Sequence, residues 1–319
     1  MRVLYADHTD ALVTSEFDRL RAAGIDPVLA DPQCREEGQV LGPGADADAI
    51  VCAFAPMTRA VLQELPNLKL ICTPQAGTDH IDLDAARELG ICVAHTPLAN
   101  HHEVATHALT LILMLIRGIP EHQAHTRHGG WDFKAAGALQ RTSDLALGLV
   151  GAGRIAQTLA SFADGLFGRI FAYDPFVAEA DWPAYIERVE SLDDLLAQAD
   201  AVSLHVPLND TTTGFADAGF FARMKPDSFL VNVSRGGLVH SSALIAAVDR
   251  EHVRGAALDV LETEPPLPDS PVLQHPRIVV TPHAAFYSLK SQEDQRVATT
   301  DNLIAFSHTG KPSFPCPGF

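Results

Sequence analysis

Basic side chains are scarce in this chain of 319 residues: 23 Lys and Arg stand against 40 Asp and Glu, a formal net charge of −17. A nucleic-acid surface needs a basic face, so that class of partner is not expected. Long apolar runs are missing too. The longest, Ala108 to Ile116, is far shorter than a membrane span and is flanked by His107 and Arg117, so no membrane partner is expected. The first residues, Met1-Arg-Val-Leu-Tyr-Ala-Asp7, read as a strand with no cleavable signal pattern. Cysteine is sparse, and Cys34, Cys52, Cys72, Cys92 and Cys316 show no CxxC pairing. Cys52, Cys72 and Cys92 sit in apolar strand-like runs and read as small buried hydrophobes of a reducing, cytoplasmic compartment. Histidines cluster at His101, His102 and His107 and again at His122, His125 and His128, yet no Cys or paired acid completes a ligand set. No metal is expected.

What the chain does have is a glycine turn in the right surroundings. Leu145-Ala-Leu-Gly-Leu-Val150 reads as a buried strand, Gly151-Ala-Gly153 as a tight turn, and Arg154-Ile155 as the start of a helix. A turn at Gly151, close backbone approach at Gly153 and free N–H groups at the helix start suit a pyrophosphate. Asp174, 21 residues beyond Gly153, closes the next strand, Arg169 to Tyr173, where a carboxylate can accept hydrogen bonds from a ribose diol. An acid there disfavours a 2′-phosphate, so NAD is the expected cofactor rather than NADP.

Content of 47% hydrophobic and 20% charged residues gives ample core for two domains. Strand-like runs at Val3 to Ala6, Ala49 to Ala53, Leu70 to Cys72 and Ile91 to Ala94 alternate with helical patterns at Ser15 to Ala23, Arg59 to Leu65 and Leu83 to Leu89. Gly24 and Gly42-Pro-Gly44 read as turns. A helical pattern from Glu103 to about Arg117 is broken by Gly118 and Pro120, and a second helix follows from Glu121 to about His128. Past Asp174 the alternation resumes: the helix Ser191 to Gln198, then strands at Ala201 to Val206, Ser228 to Val233, Gly255 to Val260 and Arg277 to Thr281. The tail, Ser291 to Phe306, reads as an amphipathic helix. The fold class is α/β with two doubly wound parallel-sheet domains, a Rossmann NAD domain (101–285) inserted into a flavodoxin-like substrate domain (1–100 plus 286–319). The excursion at 118–143 suits a dimer contact, and a homodimer is expected.

Three strand ends carry the ingredients of one reaction. Arg235 lies in Val231-Asn-Val-Ser-Arg-Gly-Gly237, Glu264 in Asp259-Val-Leu-Glu-Thr-Glu-Pro-Pro266, and His283 in Thr281-Pro-His-Ala-Ala285. Reducing a 2-keto acid needs an anion clamp, which a guanidinium provides bidentately. It also needs a proton donor for the carbonyl oxygen, and an imidazole oriented by a carboxylate is a competent one.

With the Gly-Ala-Gly-Arg-Ile turn, these motifs stand in an order and spacing that resemble the D-isomer-specific 2-hydroxyacid dehydrogenase family over nearly the whole chain; Arg235 and Glu264 are 29 residues apart, Glu264 and His283 19. The resemblance implies that Arg235 binds the substrate carboxylate and carbonyl, and that Glu264 pairs with His283, which shuttles the proton beside the cofactor. It implies pyrophosphate contacts at Gly151, Gly153, Arg154 and Ile155, ribose contacts at Asp174, a cofactor-side loop at His205, Val206, Pro207 and Thr212, and carboxamide contacts at Val233 and Asp259. Gln75, Ala76 and Gly77 match the family's loop for the substrate carboxylate. The run Thr281 to Ser288 is similar to that of the C-terminal binding protein branch, with Phe286 in place of its Trp and facing the substrate side chain; the phosphoglycerate dehydrogenases form the other near branch. Val51 to Met57 and Thr73 to Gly77 offer no Lys or Arg, and unless Arg59 turns inward this favours a small or apolar keto acid. The rival reading is an NAD(H)-sensing corepressor-like binding module with little turnover.

Overall fold

In the computed structural model, which describes residues 1–7 and 14–319, the chain divides into two compact units, Met1–Asn100 with Tyr287–Phe319, and His101–Phe286. Neither unit holds a helix long and apolar enough, among the described residues, to cross a membrane.

The first unit contains the strands β1 (Arg2–Tyr5), β2 (Asp26–Leu29), β3 (Ala49–Val51), β4 (Leu70–Cys72) and β5 (Cys92–Ala94). All pair in parallel, in the order β2-β1-β3-β4-β5, the flavodoxin-like arrangement. Its helices are α1 (Thr14–Ala22), α2 (Leu41–Gly44), α3 (Arg59–Gln63) and α4 (Leu83–Glu88). The Thr58 and Asp82 side chains cap α3 and α4 by accepting from Val61 N and Ala85 N. Apart from the edge strand β2, the strands are largely buried on both faces, as a parallel sheet covered by helices requires: Val3, Ile50, Leu70, Ile71 and Val93 are fully enclosed. Gly42-Pro43-Gly44, read above as a turn, lies within the short helix α2, where Gly44 is buried against Ile50, Leu4 and Val40. Cys92 is half-buried, not buried like Cys52 and Cys72, since it opens an edge strand.

The second unit runs α5 (His101–Ile116), α6 (Ile119–Arg127), β6 (Ala146–Val150), α7 (Arg154–Ala163), β7 (Arg169–Tyr173), β8 (Glu187–Arg188), α8 (Leu192–Gln198), β9 (Ala201–Leu204), α9 (Ala218–Arg223), β10 (Ser228–Asn232), α10 (Ser241–Asp249), β11 (Val253–Leu258), α11 (Pro271–Gln274) and β12 (Ile278–Val280). Its seven parallel strands lie in the order β8-β7-β6-β9-β10-β11-β12, so the winding reverses between β6 and β9. Val104, Ala108, Leu111, Ile112 and Leu115 form the buried stripe of α5, which packs on α7, β10 and β11. Gly118, with φ at 59°, ends α5; Pro120 does not break a helix but sits in the first turn of α6, where its missing N–H has no carbonyl to meet.

The chain ends in α12 (Leu289–Thr309), which belongs to the first unit and packs on α1. Arg19 binds Asp301 at 2.8 Å and Arg296 binds Glu16 at 3.3 Å. Its buried side carries Ser291, Gln295, Thr299, Thr300 and Asn302 beside Leu303, so the expected apolar stripe is absent. Asn302 instead bonds the His95 carbonyl and the Phe314 N–H, and so ties β5 to the end of the chain.

Candidate active site

Within the second unit, the sequence-predicted site residues lie in the segments that follow the C-terminal ends of strands, on the side where open parallel sheets bind ligands. At the reversal point, Gly151 follows β6 with φ at 100°, and a Cβ there would come within 2.6 Å of the His205 carbonyl oxygen that follows β9. No other residue fits that approach. Gly153 is different: a Cβ there would meet nothing within 4 Å, so its surroundings leave open space in front of the α7 N-terminus. That space, with the exposed Arg154 and half-buried Ile155 behind it, fits a dinucleotide pyrophosphate. Asp174 is braced from both sides: Oδ2 accepts from Ala152 N, inside the glycine turn, and Oδ1 from Phe176 N, both at 2.9 Å. The acid thus joins the β7 end to the turn while keeping lone pairs for a diol.

The loop after β9 is self-bonded. Thr212 Oγ1 donates to the Pro207 carbonyl at 2.7 Å and accepts from Asn209 N at 2.9 Å, which shapes the stretch carrying Val206 and Pro207. His205 shares a 2.9 Å hydrogen bond between Nε2 and Ser203 Oγ, but its Nδ1 is buried without a partner. Burial holds its pKa down at about 4, and the ring is neutral at pH 7.

The three candidate catalytic residues, Arg235, Glu264 and His283, are carried by the loops after β10, β11 and β12. Asn232 Nδ2 donates to the Arg235 carbonyl at 2.8 Å and its Oδ1 accepts from Ser234 N, which folds the turn that follows Val233. A Cβ on Gly236 would lie 1.9 Å from the Leu261 carbonyl, so only glycine lets the Arg235 turn press against the loop that leads to Glu264. Arg235, half-buried, donates to the Ser234 carbonyl at 3.0 Å. Glu264 Oε1 accepts from Leu261 N at 2.8 Å, and Oε2 lies 2.7 Å from His283 Nδ1. Burial pushes the Glu264 carboxyl up. The hydrogen bonds from His283 and Leu261, with the charges of His283 and Arg235, outweigh it and leave Glu264 below the usual carboxylate range. His283 itself has φ at 52°, a left-handed conformation that costs a non-glycine residue about 1 kcal/mol or more. Phe286 meets the His283 ring edge-on, with centroids 6.2 Å apart.

Asp259 is placed beside this trio but is engaged by the protein. Only 1% exposed, its carboxylate accepts from Thr281 Oγ1, Ala284 N and Ala285 N at 2.6–2.9 Å. His107, one residue of the α5 pattern, reaches the same group; His102 instead packs edge-on against Phe162. Among the described residues no His, Cys, Asp or Glu cluster is arranged for a metal ion.

In the first unit, Gln75 donates through Nε2 to the Ala53 carbonyl, the Gln75 carbonyl accepts from Thr96 N, and the Ala76 carbonyl takes a 3.1 Å hydrogen bond with His95 Nδ1; Gly77 follows in the same loop. Sequence reasoning missed Asp7. Buried at the end of β1, it accepts from the N–H groups of Ala53, Phe54 and Ala55 and shapes the loop that Gln75 touches. Arg59 does not turn toward these loops but pairs with Glu88 and Asp82. The run Val51 to Met57 nevertheless has a cation beside it, because the Arg35 guanidinium lies 4.7 Å from the centroid of the Phe54 ring.

Comparison with known proteins identifies the family. Residues 109–285 match the family model described as D-isomer specific 2-hydroxyacid dehydrogenase, NAD binding domain. The chain is 37% identical over 262 residues to a D-3-phosphoglycerate dehydrogenase of Mycobacterium bovis, covering 81% of this chain and 49% of that protein. It thus spans about half the length of that relative. An (S)-sulfolactate dehydrogenase of Chromohalobacter salexigens is 36% identical over 304 residues, 94% of this chain and 96% of the relative. A crystal structure of a glyoxylate reductase from Paecilomyes thermophila superimposes with a TM-score of 0.88 at 26% identity, covering 99% of this chain and 98% of that one.

Proposed function

Because the chain belongs to the D-isomer specific 2-hydroxyacid dehydrogenase family, we propose that it interconverts a 2-keto acid and a D-2-hydroxy acid with NAD as its cofactor. The carrying observation is the 2.7 Å pair between His283 Nδ1 and Glu264 Oε2. With Nδ1 committed to the carboxylate, Nε2 is the nitrogen that exchanges a proton with substrate. NAD, when bound, supplies or takes up the hydride. In reduction, the His283 imidazolium gives its Nε2 proton to the carbonyl oxygen and is left neutral; in oxidation, neutral His283 takes the hydroxyl proton, and Glu264 stabilises the resulting cation. Arg235 clamps the carboxylate and polarises the carbonyl. Gln75, Ala76 and Gly77 receive the carboxylate through backbone N–H groups. Phe286, edge-on to His283, packs against the substrate side chain.

The same reading places Gly151, Gly153, Arg154 and Ile155 on the pyrophosphate and Asp174 on the ribose, with Val233 and Asp259 near the carboxamide. A homodimer is part of it: Trp131 and Phe133, 94% and 83% exposed in the 118–143 excursion, are aromatic surface that a second copy would cover. So is a cytoplasmic setting, which suits five free thiols.

The test is an NADH-consumption assay over 2-keto acids with and without a second anionic group, run beside NADPH. His283→Ala should lower kcat by about 10² to 10⁴. Near-normal turnover of that variant at pH 7 would sink the mechanism, and a strong preference for NADPH would sink the cofactor assignment. Binding of NADH without turnover of any 2-keto acid would favour the sensing module instead.

A further inference from the structure

His107 lies in the middle of α5, far in sequence from the strand ends, and is assigned nothing above. Its Nε2 stands 3.0 Å from Thr281 Oγ1 and 3.5 Å from Asp259 Oδ1. The local pairing makes this meeting unavoidable. Leu258 and Val280 are register partners at the ends of β11 and β12, so Asp259 and Thr281 emerge side by side, and α5 packs along β11. Thr281 Oγ1 donates to Asp259 Oδ1 at 2.6 Å, and Thr281 N donates to the Leu258 carbonyl at 3.0 Å. Asp259 then grips the turn that carries the proton-transferring histidine: its backbone carbonyl accepts from His283 N at 2.8 Å, and its carboxylate accepts from Ala284 N and Ala285 N. His283 is thus enclosed on both sides by bonds to one residue, in a backbone conformation it would not adopt freely.

A threonine hydroxyl has one proton, and because a carboxylate only accepts, the 2.6 Å approach to Asp259 Oδ1 commits that proton to Asp259. The Thr281 oxygen therefore meets His107 with a lone pair, and His107 must be the donor. We infer that His107 is a positioning residue: its Nε2–H orients the Thr281 hydroxyl onto the buried Asp259 carboxylate, and Asp259 in turn holds His283 in its left-handed turn, aligned with Glu264. The relay runs from a helix buried against the sheet to the turn that needs restraint. It acts on His283 without touching substrate.

This inference rests on the proposed role of His283, and its test separates the two. His107→Leu removes the donor and should lower kcat at least tenfold while the substrate KM stays within about threefold. His107→Gln, whose amide Nε2–H can fill the same gap, should recover most of that loss. In the wild-type protein, long-range nitrogen–proton NMR should show the His107 proton on Nε2. The inference is overturned if His107→Leu keeps kcat within twofold of wild type, if Gln rescues no better than Leu, or if the proton resides on Nδ1. Loss of activity in His283→Ala alongside an unchanged His107→Leu would remove His107 from the relay and leave the reaction standing. Normal activity in His283→Ala would remove the reaction itself. The tautomer measurement needs no variant, so it decides the matter even if the Leu variant fails to fold.

Discussion

Lowering the pH from 7 to 5 should cost this protein about 2 kcal/mol at one side chain, His205, by the linkage between its folded and unfolded titration. In the folded chain, burial holds His205 at about 4, and its Nδ1 has no partner to accept a proton's charge. In the unfolded chain the same imidazole titrates near ~6.5. Between those values the unfolded state binds the extra proton, so stability rises with pH through the window and levels off above about 6.5. The full contribution above the window is roughly 3 kcal/mol, and about 2 of it is gone by pH 5. Two measurements check this. Denaturant unfolding of wild type and His205→Phe at pH 7 and pH 5 should show a pH-dependent loss in wild type that the variant lacks by about 2 kcal/mol. Direct NMR titration should find the His205 ring neutral down to pH 5. A midpoint above 6, or the same pH dependence in both proteins, would show that the imidazole is solvated and refute the reasoning. The position matters because the His205 carbonyl touches Gly151, so acid protonation strikes the floor of the glycine turn.

The glycine turn itself supports a paired prediction. Gly153→Val points into open space and should leave the thermal midpoint nearly unchanged while weakening NADH binding tenfold or more by fluorescence titration, about 1.4 kcal/mol. Gly151→Ala should instead lower the thermal midpoint, because its φ of 100° and the His205 carbonyl both oppose a Cβ. If Gly153→Val binds NADH normally, the space before α7 is not the pyrophosphate site. Arg254 donates to the Ala136 and Ala138 carbonyls and so pins the 118–143 excursion to the sheet. Arg254→Ala should speed limited proteolysis near 131–138 and, if the excursion is the dimer contact, raise the monomer fraction in sedimentation; unchanged cleavage and unchanged mass would release the excursion from that role.

Much of the site was readable because its chemistry is written into short motifs at strand ends. Gly151, Asp174, Arg235, Glu264 and His283 stand out through residue types that suit the proposed roles and through the apolar runs before them. The errors have local causes. Pro120 looks like a helix breaker until the position of the next helix is known, since proline is unfavourable in a helix interior and favourable in a first turn. The polar buried side of α12 defeats any periodicity argument, because Asn302 is buried by its hydrogen bonds rather than its hydrophobicity. Asp7 gave no signal at all. A lone acid after a strand reads as solvated until three backbone N–H groups from a neighbouring loop are found around it.

The sequence by itself determined the family and the proposed chemistry: a glycine turn suited to a dinucleotide, and an arginine, a glutamate and a histidine suited to clamp an anion and move a proton, each encoded over a few adjacent residues. Tertiary structure alone decided how those groups are held. Resemblance puts Asp259 beside the cofactor; in space it is also the anchor of the His283 turn, and His107 joins it from a helix more than 150 positions earlier in the chain. No pattern along a chain can show this. Strand register places Asp259 beside Thr281, and helix packing delivers His107; both depend on which surfaces are buried together, a property of the whole fold.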